Sequence, residues 1–161
     1  MSEPTVSLVI DGLVYRELRL SFDDLAGLPE SAQVPDVSRL VPGRAGSGVM
    51  LATLLRMAEP KPEANYLTLH ADRDDFHVSI PLPPVLDQAI LVYRVGESPL
   101  SDQAGGPIRM LIPDPTACGT GELDDCANVK YLSRIELCER KGKDTRPLDE
   151  AEHAALHARA V

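Results

Sequence analysis

The sequence predicts an α+β domain with a mixed sheet, and three observations carry that reading. Seven or so β-rich runs recur along the chain, only short helical stretches interrupt them, and the two do not alternate as regular βαβ units. At 161 residues the chain suits one domain. A domain of that size buries roughly two thirds of the surface its unfolded chain exposes, so neither metal nor disulfide is needed to hold it together.

The elements follow in order. "VSLVIDGLVYRELRLS" has two β-rich runs around Asp11-Gly12, a dipeptide suited to a two-residue hairpin turn, so the chain is expected to open on a tight hairpin. In "SFDDLAGLP", Ser21 stands as N-cap with Asp24 three residues on, which predicts a short helix ended by Pro29. Residues 30 to 48, "ESAQVPDVSRLVPGRAGSG", show neither period and read as a long loop, a kind of segment often functional.

From Val49 to Met57 apolar residues recur at helical spacing, up to the stop at Pro60. "NYLTLHA" and "FHVSIPL" read as strands around the charged turn "DRDD", and "PPVLDQ" as a proline-led helical turn. "AILVYRV" and "PIRMLIP" are further strands, and "NVKYLSRIELCE" is expected to be the longest. Residues 1–140 are thus read as the domain, and 141–161 as a polar linker with an Ala-rich helix from about Leu148.

Composition excludes several functions. Sixteen Lys and Arg against twenty-five Asp and Glu leave a net charge of -9, which repels nucleic acid and anionic membrane while permitting a local basic site for a small anion. The absence of Trp and the two Phe leave few surfaces for stacking bases. There is no basic, apolar leader and no apolar run of about 18 residues, so neither a secretion signal nor a membrane span is expected and the location is read as cytoplasmic.

Cys118, Cys126 and Cys138 are an odd number and not spaced as a zinc knuckle; no metal site is expected, and a Cys118–Cys126 disulfide stays open. His153 and His157 are four apart but lack a third ligand, which favours a solvated helix face. His70, Asp72, Asp74, Asp75 and His77 lack the glycine and distal Glu of a calcium loop and read as a solvated turn. GxSxG, P-loop and GxGxxG motifs are all absent.

The stretch "GGPIRMLIPDPTACGTGELDDCANVKYLSRIEL" holds the remaining chemistry. Alternation puts Arg109 with Leu111 on the face opposite Ile108, Met110 and Ile112, so a charged fork emerges from a strand. Lys130 follows a glycine-bearing loop whose backbone N–H groups can serve an anion. The plainer alternative is that Arg109 and Lys130 pair with Asp102, Glu122, Asp124 or Asp125.

In order, "LSFDDLAGLP", "GVMLATLL", "VSIPLPPVLDQAILVYRVGESPL", "GGPIRMLIP" and "NVKYLSRIEL" resemble the molybdopterin-binding domain of the sulfite oxidase family from about Ser7 to Leu137. The resemblance implies an α+β fold with a partly barrel-like sheet and a groove for the pterin dithiolene and phosphate of a molybdenum cofactor, without haem. It implies cofactor contacts from Arg109, Gly119, Gly121, Asn128 and Lys130.

Two departures qualify what it implies. The family's metal-ligating cysteine comes from the loop here written "ESAQVPDVSRLVPGRAGSG", which has none, and soft thiolate ligation shapes such a metal's redox chemistry. Ser38, Cys118 and Cys126 are the substitutes to consider. Phe76 stands where sulfite-oxidising members carry a tyrosine hydroxyl, and Arg39 and Arg44 are the loop's only candidates for gripping a dianion.

Two functions are therefore expected as alternatives: a molybdopterin-dependent oxidoreductase with reduced or lost catalysis, or a non-catalytic module of the same fold. The partner is accordingly a small anion or a redox partner protein. Oligomeric state is left open.

Overall fold

The computed structural model describes residues 6–41, 43, 45–86, 88–113 and 129–145. Period-two alternation builds a first five-stranded sheet from β1 (Val6–Gly12), β2 (Leu18–Ser21), β5 (Tyr66–Ala71), β6 (Phe76–Pro81) and β10 (Arg134–Cys138), in the order β2-β1-β10-β5-β6. β1 and β10 are parallel and every other pair in this sheet is antiparallel. Leu8, Ile10, Leu67, Leu69, Val78, Ile80, Ile135 and Leu137 face the main core. The alternate residues Asp11, Thr68, His70, His77, Ser79, Arg134, Glu136 and Cys138 share the other face.

The second sheet runs β3 (Gln33–Val34), β4 (Ser47–Met50), β7 (Ile90–Val95) and β8 (Ser98–Pro99), with β9 (Arg109–Leu111) also paired to β7. Leu91, Tyr93 and Met110 enter the main core, which α1 (Phe22–Ala26) and α2 (Leu51–Ala58) complete with Leu25, Leu51, Leu54 and Leu55; α3 (Leu82–Leu86) follows β6. Ile90, Val92 and Leu111 face a second, smaller cluster with Val37 and Leu100. Ten short strands among the described residues and few helices make the α+β architecture, and no closed barrel forms.

Ser21 caps α1 as its spacing predicts. Its hydroxyl accepts from the Asp24 amide at 3.1 Å, and the Asp24 carboxylate accepts from the Ser21 amide at 2.9 Å.

Four local expectations are corrected. Asp11-Gly12 is not the hairpin turn: both continue β1 beside Glu136 and Leu137, and the connection is residues 13–17, pinned by Val14 bridging Pro60 and Tyr15 N–H donating to Glu59 O. The loop 30–48 contains β3 and the start of β4, since Gln33 and Val34 pair with Val49 and Gly48. Those pairings draw Val49 and Met50 into β4, so α2 begins only at Leu51. The last strand is not the longest, because Tyr131 takes a left-handed φ of 56° and Val129–Ser133 bonds irregularly before β10 starts at Arg134.

Residues 141–145 lie along β6: Gly142 N–H donates to Ser79 Oγ at 2.8 Å, and Thr145 N–H to His77 O at 2.8 Å. The terminal helix expected from Leu148 lies outside the described residues. Replacing Ser21 with Ala should cost about 1 kcal/mol of unfolding free energy, read as a lower urea midpoint at unchanged slope. Leu69→Ala, emptying a site with 0% exposure, should cost about 2–5 kcal/mol in the same measurement.

Candidate functional site

The site forms around one tight turn between β8 and β9. Ser101 caps the 3₁₀ turn Asp102–Ala104 by accepting from the Ala104 amide at 3.2 Å, and Gly105 closes it at φ 94°, a value that L side chains avoid. Gly106 follows so close to the chain that a Cβ would strike the Leu100 carbonyl oxygen. Arg109 Nη1 donates to Ala104 O at 3.2 Å, and Tyr131 N–H donates to Gly105 O at 2.7 Å.

Lys130 lies on the other side of this turn. A Cβ on Gly105 would sit 2.9 Å from Lys130 Cγ, so the lysine stem packs on bare glycine backbone. Met110 N–H to Val129 O at 2.9 Å and Leu132 N–H to Ile108 O at 2.8 Å hold this segment beside β9. Arg109 and Lys130 meet the same turn, Arg109 at the Ala104 carbonyl and Lys130 at Gly105. Two details of the sequence reading are corrected: Lys130 precedes its strand by four residues, and Arg109 is half-buried rather than projecting freely.

Asp102 is engaged by a residue the sequence reading passed over. Arg73 Nη1 lies 3.2 Å from Asp102 Oδ1, and the same guanidinium stacks 4.5 Å from the centre of the Tyr131 ring. Arg94 was also missed. It shares the Arg109 face, since Val92 pairs with Arg109 and Arg94 lies two residues on, and its Nε is buried with no hydrogen bond among the described residues. The signal for Arg94 was present in "LVYRV", where it continues the alternation of Ile90 and Val92.

The cysteine-free loop lies over this face. Val37 is fully buried against the Ile90, Val92, Leu100 and Leu111 cluster, with Val34, Val41 and Ala104 packed beside it. Asp36 caps the 3₁₀ turn Val37–Arg39, and its carboxyl is held below the usual range chiefly by the Ser38 hydroxyl, then by the Ser38 amide. Ser38 is thus engaged with Asp36, while Arg39 is exposed. Phe76 begins β6 half-buried against the main core. Gly119, Gly121, Asn128, Cys118, Cys126, Arg44, Glu122, Asp124, Asp125, His153 and His157 lie outside the described residues.

Cys138 stands at the opposite end of β10, four residues beyond Arg134 and so about 13 Å along the strand. Burial pushes its thiol up, partly offset by a contact at 3.5 Å with the Thr68 hydroxyl. Among the described residues no group of three or more His, Cys, Asp or Glu is placed to hold a metal ion, and no helix is long and apolar enough to cross a membrane.

The chain matches the family model of the oxidoreductase molybdopterin binding domain over residues 46–145, and it belongs to that family. It is 30% identical over 114 residues to the uncharacterized oxidoreductase YuiH of Bacillus subtilis, a match covering 66% of this chain and 56% of that protein. It is 31% identical over 104 residues to mitochondrial sulfite oxidase of Drosophila melanogaster, covering 59% of this chain and 17% of the relative. The crystal structure of the sulfane dehydrogenase SoxCD from Paracoccus pantotrophus superimposes with a TM-score of 0.61 at 24% identity, over 88% of this chain and 40% of that one, and shows the shared fold. The chain thus spans 56% or less of the length of each of these relatives.

The donor set fits one part of a molybdopterin-type cofactor. The buried Arg94 Nε, without a hydrogen bond among the described residues, the Arg109 fork and Lys130 suit an anionic phosphate, while the Gly105 amide is already given to Asp102 O at 3.1 Å. Among the described residues, none brings a thiolate to this face for the metal end.

Gly105→Ala should cost about 1–2 kcal/mol from its positive φ and displace Lys130, seen as a lower urea midpoint and shifted Lys130 resonances. With Cys118 and Cys126 replaced by Ser, Cys138 should react with iodoacetamide more slowly in the folded than in the urea-unfolded chain near pH 8. Its folded rate should rise only at higher pH, where the raised thiol ionises; equal rates would contradict its burial.

Proposed function

We propose that this chain binds a molybdopterin-type cofactor through its anionic end, with catalysis reduced or lost for want of a loop thiolate. The observation that carries the reading is the convergence of Arg109, Lys130 and the Gly105 backbone on one turn, beside a buried arginine nitrogen on the same sheet face. Arg109 orients a phosphate as a planar fork, and Lys130 adds a mobile point charge. Gly119, Gly121 and Asn128 are assigned further contacts by the family resemblance. When bound, such a cofactor supplies oxygen-atom and electron transfer; the residues named here bind and orient it.

A second reading, a non-catalytic module for another small anion or a redox partner protein, is favoured by the cysteine-free loop and by Phe76, whose ring offers no proton. The two separate by composition and turnover. Protein expressed in a host that makes the cofactor should carry pterin, read as fluorescence after oxidative release, with molybdenum read by elemental analysis. Pterin-free, metal-free protein would sink the first reading.

Arg109→Ala and Lys130→Ala should each lower pterin retention on the order of 10- to 100-fold, the loss expected for a charged hydrogen bond of about 1.5–3 kcal/mol. Their urea midpoints serve as the control for folding, and unchanged retention would refute the assigned roles.

A further inference from the structure

The polar face of the first sheet carries a second arrangement, apart from the anion site. His70 on β5 and His77 on β6 face each other across one register pair, 8% and 6% exposed, with Nδ1 to Nδ1 at 2.7 Å. The other nitrogen of each ring meets a carboxylate: His70 Nε2 lies 3.0 Å from Glu136 Oε1, and His77 Nε2 lies 2.8 Å from Asp75 Oδ1. The sequence reading placed these histidines in a solvated turn; both are buried, and it is Asp72, Arg73 and Asp75 of the turn that are exposed.

The proton count follows from the geometry. A carboxylate only accepts, so both Nε2 atoms carry hydrogen. An Nδ1 to Nδ1 contact of this length needs one hydrogen and one lone pair. With both carboxylates ionised, this arrangement calls for three ring protons on four nitrogens and one positive charge, exchangeable between the rings by moving a proton across one hydrogen bond.

The neighbours are charged on every side. Arg134 lies 2.8 Å from Asp11 and 3.6 Å from Glu136, Asp72 accepts from the Ser133 hydroxyl at 3.0 Å, and Cys138 lies further along β10. From residues 141–145, Lys143 approaches Asp75 at 3.7 Å and Asp144 accepts from the Ser79 amide at 3.0 Å. Thr145 closes on the pair directly, its hydroxyl accepting from His77 N–H at 2.9 Å and its amide donating to His77 O at 2.8 Å. The Asp75 carboxyl is held below its usual range first by His77 and then by Lys143.

We propose that His70 and His77 form a one-proton latch that keeps the Gly142–Thr145 strap on β6 and opens it when the pair gains a second charge or loses its first. A fourth ring proton sets two N–H groups head to head, and loss of the third leaves two lone pairs facing. With the strap open the rings meet water separately, so a second charge or the loss of the first no longer sets like groups face to face. Closing thus releases one proton on the acid side and takes one up on the alkaline side, so strap protection peaks between them.

Two measurements on the intact chain test this. Ring nitrogen NMR at neutral pH should place both Nε2 at protonated positions and both Nδ1 midway between protonated and bare, the average of a shared hydrogen. Two fully protonated Nδ1, or a bare Nε2, would overturn the latch. The Thr145 amide protection factor, already normalised for intrinsic exchange, should pass through a maximum and fall about tenfold per pH unit on either side of it, the slope of one proton. A flat profile would overturn the coupling to the strap. His77→Gln should flatten the profile; where that variant does not fold, the ring-nitrogen count on the wild-type chain decides.

Discussion

The structure depends on β10 lying between β1 and β5. Arg134 to Leu137 pair on one side with a strand from the start of the chain, and Arg134 to Cys138 on the other with a strand from its middle, so a central strand is held across large sequence separations. Ile135 and Leu137, at 0% and 1% exposure, anchor it in the main core. The segment leading into it must therefore pass β9, which is what delivers Lys130 and Tyr131 to the Gly105 turn. Position in the site is thus a by-product of strand order.

Much of this was legible in the sequence, for identifiable reasons. Ser21 and Asp24 fix α1 by a local rule, and the alternation in "YLTLHA", "FHVSIP" and "ILVYRV" fixes three strands, because both signals act within a few residues. Asp11-Gly12 misled because the same residues serve a strand when a partner lies alongside, and here Glu136 and Leu137 do. β3 and the start of β4 hid in a loop-like composition, since a two-residue strand has no period to read. Arg109 and Lys130 were found as charged residues beside glycines. Arg73 was hidden because its partners Asp102 and Tyr131 are distant in sequence.

The two sheets divide their work by face. The second is covered by apolar side chains on both sides, so a cation on it, such as Arg94, is exceptional. The first keeps a polar face on which Asp11, Arg134 and Glu136 hold one another and Asp72 and Asp144 are held by Ser133 and the Ser79 amide. Ser133 joins the two regions: it donates its amide to His70 O at 2.9 Å and its hydroxyl to Asp72, the first residue of the turn that carries Arg73.

The strap along β6 has a consequence for how these molecules behave toward each other. β6 is the last strand of its sheet, and its outward amides at His77 and Ser79 are met by side-chain oxygens of Thr145 and Asp144. A neighbouring strand offers backbone carbonyls to such amides, and a naked edge accepts one from any chain that presents it. Because Thr145 and Asp144 occupy those donors with oxygens that cannot propagate a ladder, the sheet ends there. Without the strap that border would be a naked edge of the kind another strand can extend.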